Sequence, residues 1–190
     1  SAPLLTETHE EFIRRTGHHI LERYGMTETN MITSNPYNGE RRPGTVGKPL
    51  PDVEIKINDP QTGRENASEE IGMIEVRGPN VFKGYWNMPD KTSLELRENG
   101  YFITGDLGKL SSDGYLSIVG REKDLIISGG YNVYPKEIED VLNELDKIDE
   151  TAVFGILDND FGERVVAAVV MLENESFDKS KTQIFVNDKL

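Results

Sequence analysis

Tyr24-Gly25-Met26-Thr27-Glu28 reads as the end of a strand, His19 to Tyr24, running into a Gly25-Met26-Thr27 turn with polar tips. Its residue types suit one kind of chemistry. An aromatic face stacks on a purine, a hydroxyl donates to a phosphate, and a carboxylate holds Mg²⁺, a hard cation that prefers oxygen. Taken alone, the stretch reads more readily as an ordinary strand-to-turn, because short motifs recur by chance. It does not stand alone. Thr104-Gly105-Asp106 follows, then Gly120-Arg121-Glu122-Lys123-Asp124, Gly129-Gly130 and Pro135-Lys136-Glu137-Ile138-Glu139, in that order.

Upstream of the opening stretch, Thr8 to Glu11 has the Thr-x-x-Glu spacing of a capping box. It predicts a helix through about Arg15, closed by Gly17. Downstream, residues 33–51 hold four prolines and glycine turns, which predicts a long loop. Val53-Glu54-Ile55-Lys56-Ile57 alternates apolar with polar and predicts a half-buried strand. Asp59 to Gly63 is turn chemistry. Ile71 to Arg77 and Val81 to Trp86 predict two more strands, and Leu110 to Val119 a hairpin around Ser112-Asp113-Gly114. Residues 52–120 therefore read as antiparallel β.

The pattern changes after Arg121. Asp124 to Ile127 predicts a short strand. Pro135 suits the first turn of a helix, where its missing N–H costs nothing. Ile138, Val141, Leu142 and Leu145 then form an amphipathic stripe. Thr151 to Leu157 and Val165 to Leu172 predict strands, and Lys181 to Leu190 a helix. A domain boundary is expected near Arg121 to Asp124.

The net charge of −13 repels phosphate backbones and argues against general nucleic-acid binding. The absence of cysteine excludes disulfides, thiol catalysis and Cys-type zinc sites. No run of 18 apolar residues predicts a membrane span. No basic segment followed by an apolar one opens the chain, so no signal peptide is expected. The sequons at Asn66 and Asn174 carry little meaning in that setting. His9, His18 and His19 show no metal-ligand spacing and are expected to be core or solvated histidines.

In order and content, the motif set resembles the adenylate-forming superfamily of acyl-CoA synthetases, luciferases and peptide-synthetase adenylation domains. Within it, the surrounding sequence is most similar to the malonyl-CoA synthetases. The resemblance rests on Thr33-Ser34-Asn35-Pro36, Gly44-Thr45-Val46-Gly47-Lys48-Pro49 and Gly130-Tyr131-Asn132-Val133-Tyr134-Pro135. It implies a mixed α/β and α+β fold in three parts. Residues 1–51 would end a large AMP-binding α/β subdomain, 52–121 would form a β-barrel-like subdomain, and 122–190 part of a C-terminal α+β lid. It also implies a chain that starts after the phosphate-binding loop and stops before a terminal catalytic lysine, since neither motif is in the sequence. Activity of the isolated chain is therefore not expected.

The same resemblance implies roles. Residues matching Tyr24, Thr27 and Glu28 serve as adenine stack, phosphate contact and Mg²⁺ ligand, with Gly25 and Met26 in the same nucleotide-binding stretch. Asp106, otherwise readable as a strand-end Asp capping a turn, matches a carboxylate that accepts the ribose hydroxyls. Arg121 matches a second ribose contact. Lys123, otherwise a solvated lysine, holds the position of a hinge between two domain orientations. Gly129-Gly130 is readable as a plain turn, and in the family comes close to the pantetheine arm of CoA. Ser1-Ala2-Pro3-Leu4 resembles a segment lining the acyl and adenine pocket. The implied substrates are ATP, CoA and a small carboxylic acid, with Mg²⁺, in the cytoplasm. Malonate's distal carboxylate wants a guanidinium, and Arg14 and Arg15 lie on the helix near the expected pocket. Two alternatives stay open: a synthetase or adenylation domain for another acid, and a non-catalytic nucleotide-binding module.

Overall fold

The computed structural model describes residues 4–190, and Ser1-Ala2-Pro3 of the opening stretch lie outside the described residues. The chain divides into two compact units, Ser1–Val119 and Gly120–Leu190. The fold is mixed α/β, built on antiparallel sheets.

The first unit opens with helix α1 (Thr6–Thr16). The helix begins two residues before Thr8, with Leu5 as its N-cap and no side-chain cap, so the expected capping box does not form. Gly17 closes it as expected, donating its N–H to the Ile13 carbonyl at φ 71°. His9 is wholly buried, with Nδ1 2.7 Å from Glu22 Oε1. Burial pushes the Glu22 carboxyl up, and the His9 contact only partly offsets it.

Strands β1 (Arg23–Met26) and β2 (Asn30–Ser34) form a hairpin, extended by the short β3 (Lys48–Pro49). This corrects the turn expected at Gly25-Met26-Thr27. Gly25 and Met26 are strand residues, and the turn lies two residues later, at 27–29. The long loop expected over residues 33–51 is otherwise present, pinned by reciprocal 2.8 Å bonds of Val46 N–H to Leu116 O and of Leu116 N–H to Gly47 O.

A four-stranded sheet follows in the order β4 (Glu54–Asn58), β5 (Gly72–Arg77), β6 (Phe102–Leu110), β7 (Leu116–Arg121). Ile57, Ile74, Val76 and Leu116 form one buried cluster with Tyr24 and Ile32 of the hairpin. Because side chains alternate along a strand, Glu75 faces the other way. It is buried and takes both Arg97 Nε (2.8 Å) and Nη2 (2.5 Å).

The strand expected over Val81 to Trp86 is absent. That segment is irregular, turning back at Gly84 (φ 139°) against Thr92 and leading into helix α2 (Pro89–Glu95). Its alternation of apolar residues reflects ring contacts instead: Phe82 meets Tyr85 and Phe102 edge-on at 4.8 and 5.3 Å.

In the second unit a 3-10 turn (Glu122–Asp124) takes the place of the start of the expected strand at Asp124. Strand β8 (Ile126–Ser128) begins two residues later and pairs with β9 (Tyr131–Val133). Helix α3 (Pro135–Asn143) has Pro135 in its first turn, as expected. Its stripe buries Val141 and Leu142, the latter against Ile126 and Val153, while Leu145 lies past the helix end. Strands β10 (Ile148–Asp158) and β11 (Gly162–Met171) complete a sheet in the order β10-β11-β8-β9, and α4 (Lys179–Lys189) closes the chain. Among the described residues no helix is long and apolar enough to cross a membrane.

Candidate functional site

The β1–β2 hairpin sets the geometry of the opening motif. At Gly25 the pairing slips by one residue, and a Cβ there would lie 2.1 Å from the Asn30 carbonyl. The glycine is thus required by the close approach of the chain's own backbone. Residues 27–29 form the turn, with Thr29 N–H donating to Met26 O at 3.2 Å. Thr27 is exposed, Glu28 half-buried, and Thr29 buried. Gly25, Met26, Thr27, Asn30 and Met31 line an open depression of about 470 Å³.

Tyr24 and Asp106, 82 residues apart, meet in the interior: the phenol donates to Asp106 Oδ2. Both side chains are buried. Asp106 lies within β6, not at a strand end, which corrects the simpler sequence reading. The β5–β6 register is broken opposite it, between Met73 and Glu75, and Gly105 takes φ 73°. Such an irregularity re-aims a side chain. Thr104 Oγ1 accepts the Asp106 N–H at 3.0 Å and donates to Ile74 O at 2.9 Å.

The Thr27–Glu28 turn is held by a segment that sequence reasoning passed over. Phe82 N–H donates to Glu28 O at 2.8 Å. Asn80 Nδ2 donates to Thr29 O (2.7 Å) and Met31 O (3.1 Å). The Tyr85 hydroxyl lies 3.1 Å from Glu28 Oε1 and 2.5 Å from Glu95 Oε2. Burial, then the Glu95 and Glu28 carboxylates, push the Tyr85 phenol above its ordinary pKa. The available signal was Asn87-Met88-Pro89, a turn with proline at a helix start, which argues against a strand through Trp86.

Arg121, Lys123, Gly129 and Gly130 belong to the second unit. Arg121 ends β7 and flanks the 3-10 turn that contains the exposed Lys123. Gly129 and Gly130 have φ of 59° and 85° and join β8 to β9. Positive φ at both central residues is the signature of a type I′ hairpin turn. A Cβ on Gly130 would meet nothing within 4 Å, so backbone conformation is what calls for glycine there. Arg14 and Arg15 lie exposed in the last turn of α1, where both pair with Glu11.

The AMP-binding enzyme family matches residues 1–86, and the AMP-binding enzyme C-terminal domain matches residues 137–189. The chain is 48% identical over 156 residues to a malonate–CoA ligase of Arabidopsis thaliana, covering 82% of this chain and 25% of that protein. It is 39% identical over 191 residues to a long-chain-fatty-acid–CoA ligase of Bacillus subtilis (strain 168), covering 100% of this chain and 34% of that one. The ATP-bound structure of MatB from Rhodopseudomonas palustris superposes with a TM-score of 0.96 at 55% identity, over 100% of this chain and 38% of that chain. The chain belongs to the AMP-binding enzyme family, whose named relatives here are CoA ligases. It spans about a quarter to two-fifths of the length of the relatives it matches.

Proposed function

We propose that the protein carrying this chain is an acid–thiol ligase that activates a small carboxylate, malonate foremost, with ATP and transfers it to CoA. The carboxylate oxygen attacks the α-phosphorus and pyrophosphate leaves. The CoA sulfur then attacks the acyl carbonyl and AMP leaves. The observation that carries the reading is the Tyr24–Asp106 pair beside the Thr27–Glu28 turn. It joins an aromatic ring and a carboxylate from distant parts of the chain, next in sequence to the Gly25-Met26-Thr27 stretch that lines the open depression.

In this reading Tyr24 and the Gly25-Met26 backbone border the adenine, and Asp106 takes the ribose hydroxyls; Arg121 keeps the ribose-contact role that the resemblance implies. Thr27 donates to a phosphate oxygen. The donor set at the turn fits a hard cation: Glu28 offers carboxylate oxygen, and among the described residues no lysine or arginine pairs with it. Glu28 would hold Mg²⁺, which offsets phosphate charge when bound. Lys123 acts as the hinge residue between the half-reactions, and Gly129-Gly130 borders the CoA arm. Residues 1–51 and 52–121 act as parts of the AMP-binding domain, and residues 122–190 as part of a lid. The reaction runs in the cytoplasm. The acid itself has a second reading, because the Bacillus subtilis relative named for long-chain fatty acids matches over the whole chain.

Pyrophosphate release by the full-length protein, measured with malonate, longer dicarboxylates and fatty acids, tests the chemistry and the acid together. No release with any acid overturns the ligase reading. In the same protein Glu28→Gln should impair adenylate formation. Asp106→Ala should mainly weaken ATP binding, by the roughly 1.5–3 kcal/mol of a hydrogen bond to a charged group. Lys123→Pro fixes φ near −65°, so adenylate formation should persist while thioester formation collapses. Equal loss of both steps would refute the hinge.

A further inference from the structure

The Glu28 carboxylate does not stand by itself. One phenolic proton, on Tyr85, faces two carboxylates, Glu95 at 2.5 Å and Glu28 at 3.1 Å. A hydroxyl donates one hydrogen, so the shorter contact takes the larger share and Glu95 is its main acceptor. The nearby cation serves Glu95 as well. Lys91 Nζ lies 4.0 Å from Glu95 Oε1, one helical turn away, and 3.9 Å from the centre of the Tyr85 ring. Among the described residues no lysine or arginine pairs with Glu28, whose Oε1 lies 3.1 Å from the phenol oxygen.

The phenol is itself fixed. Tyr85 N–H donates to Thr92 Oγ1 at 2.9 Å, and the ring packs edge-on to Phe82. Phe82 in turn holds the Glu28 carbonyl through its N–H at 2.8 Å. Residues 82–95 therefore grip Glu28 at backbone and side chain, across more than 50 positions of sequence.

We infer that Tyr85 is a positioning residue for Glu28: anchored on Glu95, it limits the rotamers of the Glu28 carboxylate without neutralising it. This rests on the reading of Glu28 as a cation ligand. A side chain held in place before binding loses less entropy when the ion arrives. Groups that orient a metal-binding carboxylate are worth about 10–100-fold in metal affinity.

The test uses the full-length protein with ATP and two readouts. Mn²⁺ binding is followed by electron paramagnetic resonance, and adenylate formation is followed against Mg²⁺ concentration. Tyr85→Phe keeps the ring, its contact with Phe82 and its place under Lys91. It should raise the half-saturating metal concentration roughly tenfold, with the rate at saturating metal and the melting temperature close to wild type. Adding Tyr85→Phe to Glu28→Gln should change nothing further, because the phenol acts only through that carboxylate. Glu95→Gln weakens the anchor and should give a smaller shift in the same direction.

If Glu28→Gln shifts metal binding while Tyr85→Phe and Glu95→Gln do not, the inference fails and the reading of Glu28 stands. If Glu28→Gln leaves metal binding unchanged, that reading fails and takes the inference with it. A lower melting temperature with an unchanged metal profile would mark Tyr85 as a packing residue only, and overturn the proposal.

Discussion

The two units stabilise their functional residues in different ways. In Ser1–Val119 the contacts that matter span long stretches of sequence: Tyr24 to Asp106, Tyr85 to Glu28, Asn80 to Thr29. They rest on a core in which Ile32, Ile74, Val76 and Leu116 are completely shielded. In Gly120–Leu190 the features are local. A two-residue turn joins β8 to β9, and Asp158 binds Arg164 and the Asp160 and Phe161 N–H groups inside one hairpin. Among the described residues the buried cluster there comprises Ile126, Leu142 and Val153, with Val133, Ile138, Ile148, Val165 and Val186 only partly buried against it. Long β strands leave Phe154, Ile156 and Val170 about half exposed. The first unit depends on its core to assemble its site. The second depends on turn chemistry and carries little core to spare.

Core truncation gives the strongest check on that contrast. Ile74→Ala in the first unit should cost about 4 kcal/mol, and Ile126→Ala in the second about 3 kcal/mol, within the range for deleting buried methylenes. The smaller loss should do more damage, because stability is not spread evenly through a structure. Native-state hydrogen exchange should show β8 to β11 opening in Ile126→Ala while the amides of β4 to β7 keep their protection. Ile74→Ala should weaken protection across β4 to β7 and loosen the Tyr24–Asp106 contact. If Ile126→Ala also exposed β5, the two units would not differ in the way described.

How much the sequence disclosed follows the same division. Local signals were readable: Gly17 as a cap, Val53 to Ile57 as a strand, the Ser112-Asp113-Gly114 hairpin and Pro135 in the first turn of α3. The failures were of two kinds. Thr8 did not cap, because α1 starts earlier and puts it inside the helix. Val81 to Trp86 alternates like a strand, yet Phe82 meets the Phe102 ring and the Glu28 carbonyl without the segment pairing as a strand. The candidate site shows the limit clearly. Tyr24, Thr27, Glu28 and Asp106 stand out as residue types in a recognisable order. Tyr85, Glu95 and Asn80 do not, because what matters about them is a distance across the fold.

A smaller effect sharpens the local half of the comparison. Gly130 sits at φ 85° with open space where a Cβ would be. Gly130→Ala should therefore cost about 1–2 kcal/mol from the left-handed backbone alone. Gly129→Asn should be nearly neutral, since Asn-Gly is a favoured pair for a type I′ turn. Urea denaturation of the three chains separates the outcomes. Equal losses for both variants would mean that steric contact, such as that of Gly129 with the Phe161 ring, governs the turn instead of backbone conformation.

The smallest expected effect concerns a long-range tie at the surface of the first unit. Arg42 reaches across 71 positions to Asp113, with Nη1 to Oδ1 at 3.0 Å and Nη2 to Oδ2 at 2.7 Å, and its guanidinium lies 4.0 Å from the centre of the Tyr115 ring. The Arg42 bond, then the Ser111 hydroxyl, hold the Asp113 carboxyl down to about 2 from an ordinary 3.8. A carboxyl that is depressed in the folded state adds stability above its unfolded value and loses it as pH falls through the folded one. The contribution should thus be complete above about pH 5 and gone near pH 1. Other carboxylates titrate in the same window, so the useful quantity is the difference between wild type and Asp113→Asn. Melting temperatures taken stepwise over that range should converge as the acid protonates Asp113, and separate again above it. Both partners are exposed to water, so the gap should be small and should shrink further in high salt. A gap that persisted unchanged at about pH 1 would mean that Asp113 acts through shape rather than charge. The long-range tie would then be one of packing, like those of the core beneath it.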